Sequence, residues 1–150
     1  MTPQSLEYQL AAVPSANSVQ LVCMLYDTVV RDLTRAIKAI ETGDVEARTS
    51  EVKHALLVLQ QLEAFLDMEN GGEAAVNLSR FYAISRAMIM QGQGKIDASL
   101  FQKQIVLFLD VRSAWEQANV RAAEPSEPAP VRTVDDSESS NRRQSLSCSV

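Results

Sequence analysis

Cysteine is scarce in this sequence, and long apolar runs are absent. Only two cysteines, Cys23 and Cys148, occur in 150 residues, which excludes a disulfide framework and is typical of a reducing cytosol. No stretch approaches the roughly 18 apolar residues of a membrane span. No basic segment followed by an apolar one marks a cleaved signal. We therefore predict a cytoplasmic protein that does not insert directly into a membrane.

Positive charge is also in short supply. The chain has 14 Lys and Arg residues against 19 Asp and Glu residues, a formal net charge of −5. A protein that binds a phosphate backbone needs an excess of positive charge along the contact. The charge balance therefore predicts no nucleic-acid partner.

Residues suited to catalysis or metal binding are equally few. The single histidine, His54, has no second histidine or cysteine to share a metal, and Cys23 lies in the apolar run "LVCMLY" without a histidine at a readable spacing. The stretch "GQGKI" lacks the first glycine and the Ser or Thr of a phosphate loop, and "DMENGGE" is too short for an EF-hand loop. We predict a non-enzyme without cofactor or metal, in which His54 is a surface or boundary residue.

Proline and glycine divide the chain into segments. All five prolines lie outside residues 15–124, and within that range glycine occurs only at positions 43, 71, 72, 92 and 94. Four proline-free segments with short connections predict four helices, each antiparallel to the next. The predicted fold is an all-α, antiparallel four-helix bundle over residues 1–122.

The last part of the chain has a different composition. Residues 123–150 are rich in Ser, Pro and charge and contain almost no large apolar side chain. Such a composition buries too little apolar surface to offset the entropy of ordering, so we predict a disordered tail.

Each of the four segments has apolar residues at helical spacing. At about 100° per residue these positions fall on one face of each helix and predict the core. Asp44 and Asp97 precede the second and fourth helices as expected N-caps. The predicted core positions are Val22, Tyr26, Val29, Leu33, Ala36, Ile37 and Ile40; Val45, Val52, Leu56, Leu59 and Leu66; Ala75, Leu78, Tyr82, Ser85 and Ile89; and Phe101, Ile105, Phe108 and Trp115.

The paired glycines predict a corner between the second and third helices. We expect Gly71 to take a left-handed conformation that ends the second helix, and Gly72 to let the chain reverse. Glu73 then places a carboxylate at the positive end of the next helix.

Several apolar residues lie outside the predicted core stripes. Two interpretations stay open: they are ordinary core flanks and exposed residues around a central fourth helix, or they form a groove for a partner helix. These residues are Leu21, Met24, Leu57, Val58, Phe65, Val106 and Leu107.

Three stretches resemble, in order and spacing, the flagellar export chaperone family FliS. They are "LVCMLYDTVVRDLTRAIKAIETGD", "LLVLQQLEAFLDMENGGEAAVNLSRFY" and "VLFLDVRSAW", and the resemblance spans roughly residues 4 to 120. Its most specific parts are Met24-Leu25-Tyr26-Asp27 in the first helix and a corner motif of Leu66, Asp67, Glu69, Gly71, Gly72, Glu73, Asn77 and Leu78.

The resemblance implies a cytosolic chaperone. A member of this family binds the C-terminal segment of flagellin, prevents its premature polymerisation and delivers it to the cytoplasmic domain of the flagellar export gate. The surplus apolar residues, with Leu25 and Asp27 of the motif, are then the expected partner-binding residues. The alternative is a self-contained helical scaffold or a dimerising adapter, in which the same surface joins two copies of the chain.

The residues before the first helix predict a strap. Leu6, Tyr8 and Leu10 alternate, so an extended segment directs all three to one side, and Pro3 and Pro14 discourage helix at its ends. Tyr8 matches a family tyrosine in a segment that covers part of the groove when no client is bound.

Within the first helix, Asp27 lies four residues before Arg31, which predicts a modest surface ion pair.

Overall fold

The computed structural model describes residues 16–123 and confirms the four-helix prediction. The helices are α1 (Ala16–Thr42), α2 (Val45–Ala64), α3 (Gly72–Lys95) and α4 (Ala98–Ala123), and no strand occurs within this range. The predicted strap and the predicted tail lie outside the described residues.

Two aspartates begin helices as the sequence predicts. Asp44 accepts a hydrogen bond from the backbone N–H of Ala47 at 3.0 Å and caps α2. Asp97 accepts from the backbone N–H and the hydroxyl of Ser99 at 2.9 and 2.6 Å, just before α4. These hydrogen bonds hold the pKa of Asp97 below its usual value. Both caps satisfy backbone donors that a helix start leaves unpaired.

The four helices form a ring in which α1 packs most closely against its two neighbours. The backbone of α1 lies close to both α2 and α4, whereas α3 approaches its two neighbours, α2 and α4, at fewer positions. Of the predicted core residues, all but Val45 are buried or packed against the buried cluster. Val45 is exposed because it is the first residue of α2, at the end of the bundle.

The corner prediction assigns the left-handed turn to the wrong glycine. α2 ends at Ala64, and the carboxylate of Asp67 then accepts from the backbone and side-chain amides of Asn70, at 3.0 and 3.2 Å. This local turn leaves Gly71 right-handed, with φ −76°, and the positive φ, 59°, occurs at Gly72. Because several residues separate α2 from α3, the reversal takes place at the start of α3 rather than at the end of α2.

Replacing Gly72 by another residue should therefore destabilise the protein through backbone strain alone. A Cβ added at Gly72 would meet no atom within 4 Å, so space is not limiting. Gly72→Val should lower the free energy of unfolding by about 1–2 kcal/mol, since a β-branched residue is strained at positive φ. Gly72→Asn should cost less because asparagine tolerates the left-handed region. Urea unfolding measures both, and equal losses would contradict a backbone origin.

Candidate partner-binding surface

Tyr26 of the first-helix motif is buried in a hydrogen-bonded network that joins three helices. Its hydroxyl accepts from the indole N–H of Trp115 on α4 at 3.3 Å and shares a hydrogen bond of 2.7 Å with the hydroxyl of Tyr82 on α3. Burial raises the pKa of both tyrosines above their ordinary value, so both hydroxyls stay protonated. The motif tyrosine therefore holds the bundle together and is not a surface contact.

Asp27 of the same motif binds Arg112 of α4, so the predicted partner, Arg31, is wrong. Arg112 Nε lies 2.6 Å from Asp27 Oδ1, and its Nη2 donates to Oδ2 at 3.0 Å. Arg112 Nη1 also lies 2.6 Å from Glu116. These hydrogen bonds, first the one to Asp27, raise the pKa of Arg112. Spacing along one helix could not reveal the pairing because the partner is on another helix.

A groove lies between the first turns of α1 and the last turns of α4. This α1–α4 groove has a volume of about 760 Å³, and Met24, 64% exposed, is the most exposed apolar residue of its lining, followed by Val120 at 61%. Burial raises the pKa of Cys23, which disfavours the reactive thiolate. The residues that line the α1–α4 groove are Val19, Gln20, Cys23, Met24, Arg112, Glu116, Gln117, Asn119 and Val120.

A second groove, of about 630 Å³, separates α2 from α3. Its apolar lining comes from α2 and includes Leu57, 52% exposed. Three polar contacts join the two helices at this groove: Arg86 lies 2.7 Å from Glu63, and Gln93 accepts from Arg48 and donates to Thr49. The lining of this α2–α3 groove is Thr49, Val52, Lys53, Leu56, Leu57, Gln60, Glu63, Arg86 and Gln93.

The residues predicted to bind a partner do not line one continuous groove. Met24 lines the α1–α4 groove and Leu57 the α2–α3 groove, while Leu21, Val106 and Leu107 are exposed outside both linings. Leu25 and Phe65 are partly buried and pack against the core. Val58 is 6% exposed, belongs to the core and lines neither groove. Because α2 packs against two helices, its buried face is wider than one stripe.

The corner motif is divided between structural and exposed residues. Asp67 closes the turn, and Leu78 is buried in the core. Glu69, Glu73 and Asn77 are exposed, with Glu73 in the first turn of α3. The motif therefore fixes how α2 passes into α3.

Exposed apolar residues on α3 and α4 were missed by the sequence analysis. Ile84 and Met90 on α3, and Leu109 and Val120 on α4, are all exposed. Helical spacing could have identified them as exposed, because none of the four lies on its helix's core stripe.

His54 is an exposed residue, which agrees with the prediction of a surface or boundary position. Its Nδ1 lies 2.5 Å from Oδ2 of Asp32, whose side chain is 1% exposed. The histidine thereby gives a buried carboxylate of α1 a partner on α2. Among residues 16–123 no group of three or more His, Cys, Asp or Glu side chains is placed to hold a metal, and none of the helices is long and apolar enough to cross a membrane.

Comparison with known proteins agrees with the resemblance. The family model of the flagellar protein FliS matches residues 1–122. The flagellar secretion chaperone FliS of Salmonella typhimurium is 34% identical over 114 residues, 75% of this chain and 84% of the relative. FliS of Vibrio cholerae is 29% identical over 80% of this chain and 90% of its own length, and FliSB of Pseudomonas aeruginosa is 30% identical over 71% and 84%. The chain therefore belongs to the FliS family of flagellar secretion chaperones.

Proposed function

We propose that this chaperone binds the C-terminal segment of flagellin in the cytosol. Binding prevents premature polymerisation, and the complex is delivered to the cytoplasmic domain of the flagellar export gate. The observation that carries the proposal is the exposure of large apolar side chains in two separate grooves, at Met24 and Leu57. A chaperone whose own core is complete has no need of these side chains for folding.

The shape of the bundle suits a client that folds on binding. A segment that is disordered alone can form amphipathic helices whose apolar stripes enter the grooves. Two grooves on different helix pairs suit two short client helices joined by a linker. Covering those client residues with the chaperone removes them from contact with other flagellin molecules.

The predicted strap immediately precedes, in the sequence, the helix turns that line the α1–α4 groove. Residues 1–15 lead directly into α1, and Val19 and Gln20, within its first two turns, line that groove. We propose that Leu6, Tyr8 and Leu10 occupy the groove when no flagellin is bound. The free energy needed to release the strap then reduces the apparent affinity for the client.

Charges placed in the grooves should weaken binding. Met24→Asp and Leu57→Asp should each raise the Kd for a flagellin C-terminal peptide at least about tenfold, because a carboxylate would lose water without gaining a partner. The matched control is Val45→Asp, an exposed apolar residue outside both grooves. Isothermal titration calorimetry measures the affinities, and circular dichroism melts check the fold. Unchanged affinity in both groove variants would overturn the groove assignment.

Deleting residues 1–12 should tighten binding of the same peptide. The deletion removes the strap but leaves Val19 and the rest of the groove in place. Calorimetry on the truncated protein separates a competitor from a clamp, since a strap that also holds the client would give weaker binding when removed. If the full chain binds no flagellin and sediments as a dimer, the adapter alternative replaces this proposal.

A further inference from the structure

The third helix differs from the other three in how it is held. α1 lies close to α2 and α4 along much of its length, while α3 approaches α2 and α4 at fewer positions. A helix with fewer packing contacts is a candidate for opening as a unit below the free energy of global unfolding.

Both ends of α3 are bounded by residues in the left-handed region. Gly72, its first residue, has φ 59°, and Ile96, which follows Lys95, has φ 53°. Glycine adopts this conformation without strain, but a β-branched isoleucine is strained there. Opening at Ile96 relieves that strain, and Gly72 allows rotation at the other end.

Three buried polar atoms on α3 and α4 have no well-aligned hydrogen bond among the described residues, and one of them, Nε of Arg112, still lies 2.6 Å from the carboxylate of Asp27. The other two are Oγ of Ser85 on α3 and Oε1 of Gln104 on α4, in side chains that are 1% and 2% exposed. An unpaired buried polar atom costs free energy in the closed state, and opening recovers that free energy for the Ser85 hydroxyl because α3 carries it into water.

Several contacts favour the closed state. Between α2 and α3, Arg86 lies 2.7 Å from Glu63, and Gln93 accepts from Arg48 and donates to Thr49. The hydroxyl of Tyr82 is bonded to Tyr26, and Gly92 lets the ring of Phe101 approach the α3 backbone. These contacts make the open form a minor population of a two-state equilibrium.

We propose that α3 opens as a unit from α1, α2 and α4, and that this opening widens the α2–α3 groove to admit a client helix. The second clause rests on the proposed function. The first concerns the free chain alone, so the two are tested separately.

Hydrogen exchange followed by mass spectrometry on the full chain tests the opening. Amides in the middle of α3 should exchange at least about tenfold faster than those in the middle of α1, which open only with global unfolding. Equal exchange in the two helices overturns the proposal.

Matched variants test whether the unpaired buried atoms favour the opening of α3. Ser85→Ala combined with Gln104→Met removes both unpaired atoms and should slow exchange in α3 more than in α1. Gln102→Met, an exposed glutamine on the same helix α4, is the control and should leave both rates unchanged. An unchanged or faster α3 rate in the double variant, or equal slowing in the control, overturns the assigned cause.

The client clause is tested with a synthetic peptide of the flagellin C-terminal segment. The peptide should protect α3 from exchange and should bind the double variant several-fold more weakly than the wild type, because opening is then harder. Equal affinity overturns the widening of the groove. A peptide that does not bind the wild-type chain counts against the proposed function, and exchange in the free chain still decides whether α3 opens.

Discussion

Tyr26→Phe should lower the free energy of unfolding by about 2–4 kcal/mol, because one lost hydroxyl leaves two buried groups unpaired. The indole N–H of Trp115 loses its acceptor, and the hydroxyl of Tyr82 loses its partner. Trp115 and Tyr26 are both fully buried, so water does not replace the missing oxygen in the closed bundle. Urea unfolding followed by circular dichroism measures the loss.

Tyr82→Phe is the matched control for this effect. The hydrogen bonds shown for the Tyr82 hydroxyl include only the one to Tyr26, and Tyr26 keeps its bond from Trp115 when Tyr82 is changed. The expected loss is therefore smaller, about 1–2 kcal/mol. Equal losses in the two variants would mean that the indole contributes little and that the tyrosines act only as a pair.

Gly92→Ala should destabilise the bundle by about 1–3 kcal/mol through overpacking. A Cβ at this position would lie 2.7 Å from Cε1 of Phe101, and the Phe101 ring is fully buried and cannot easily move aside. The gain in helix propensity from alanine, up to about 1 kcal/mol, offsets only part of the loss. Thermal and urea unfolding both report the change.

Gly94→Ala, two residues further along α3, should have the opposite sign. No atom lies within 4 Å of the added Cβ, and the residue is helical, so alanine should stabilise by about 0.5–1 kcal/mol. The two variants have the same composition, so any difference between them comes from Phe101. Two gains of equal size would contradict the close approach of α4 to Gly92.

The glycines show which features of the fold can be predicted from the sequence and which cannot. Gly43 and the pair Gly71 and Gly72 mark two of the three breaks between helices, because a chain with few glycines and no internal proline can be interrupted at few places. Gly92 and Gly94 do not mark the third break, since both lie inside α3, which ends at Lys95. Which glycine turns left-handed was decided by the turn that Asp67 and Asn70 close before the pair is reached. The role of Gly92 was not predictable at all, since Phe101, nine residues away, meets it from another helix.

For the candidate site, too, the sequence predicts some features and the packing of the helices decides the others. Helical spacing identified Met24 and Leu57 as lying off the core stripes, and both are exposed. Spacing could not show that Val58 is covered, or that the two exposed residues belong to different grooves, because both depend on which helices become neighbours.

The sequence by itself determined the helix count, the caps at Asp44 and Asp97, most of the core and the family, since these depend on local spacing and motif order. The tertiary structure alone decided the partner of Asp27, the burial of Tyr26 between Trp115 and Tyr82, and the smaller number of positions at which α3 approaches its neighbours. Local patterns act within one turn of helix, about four residues. The contacts that join α1 to α3 and α4 link residues far apart in the chain, so only the packing of whole helices brings them together.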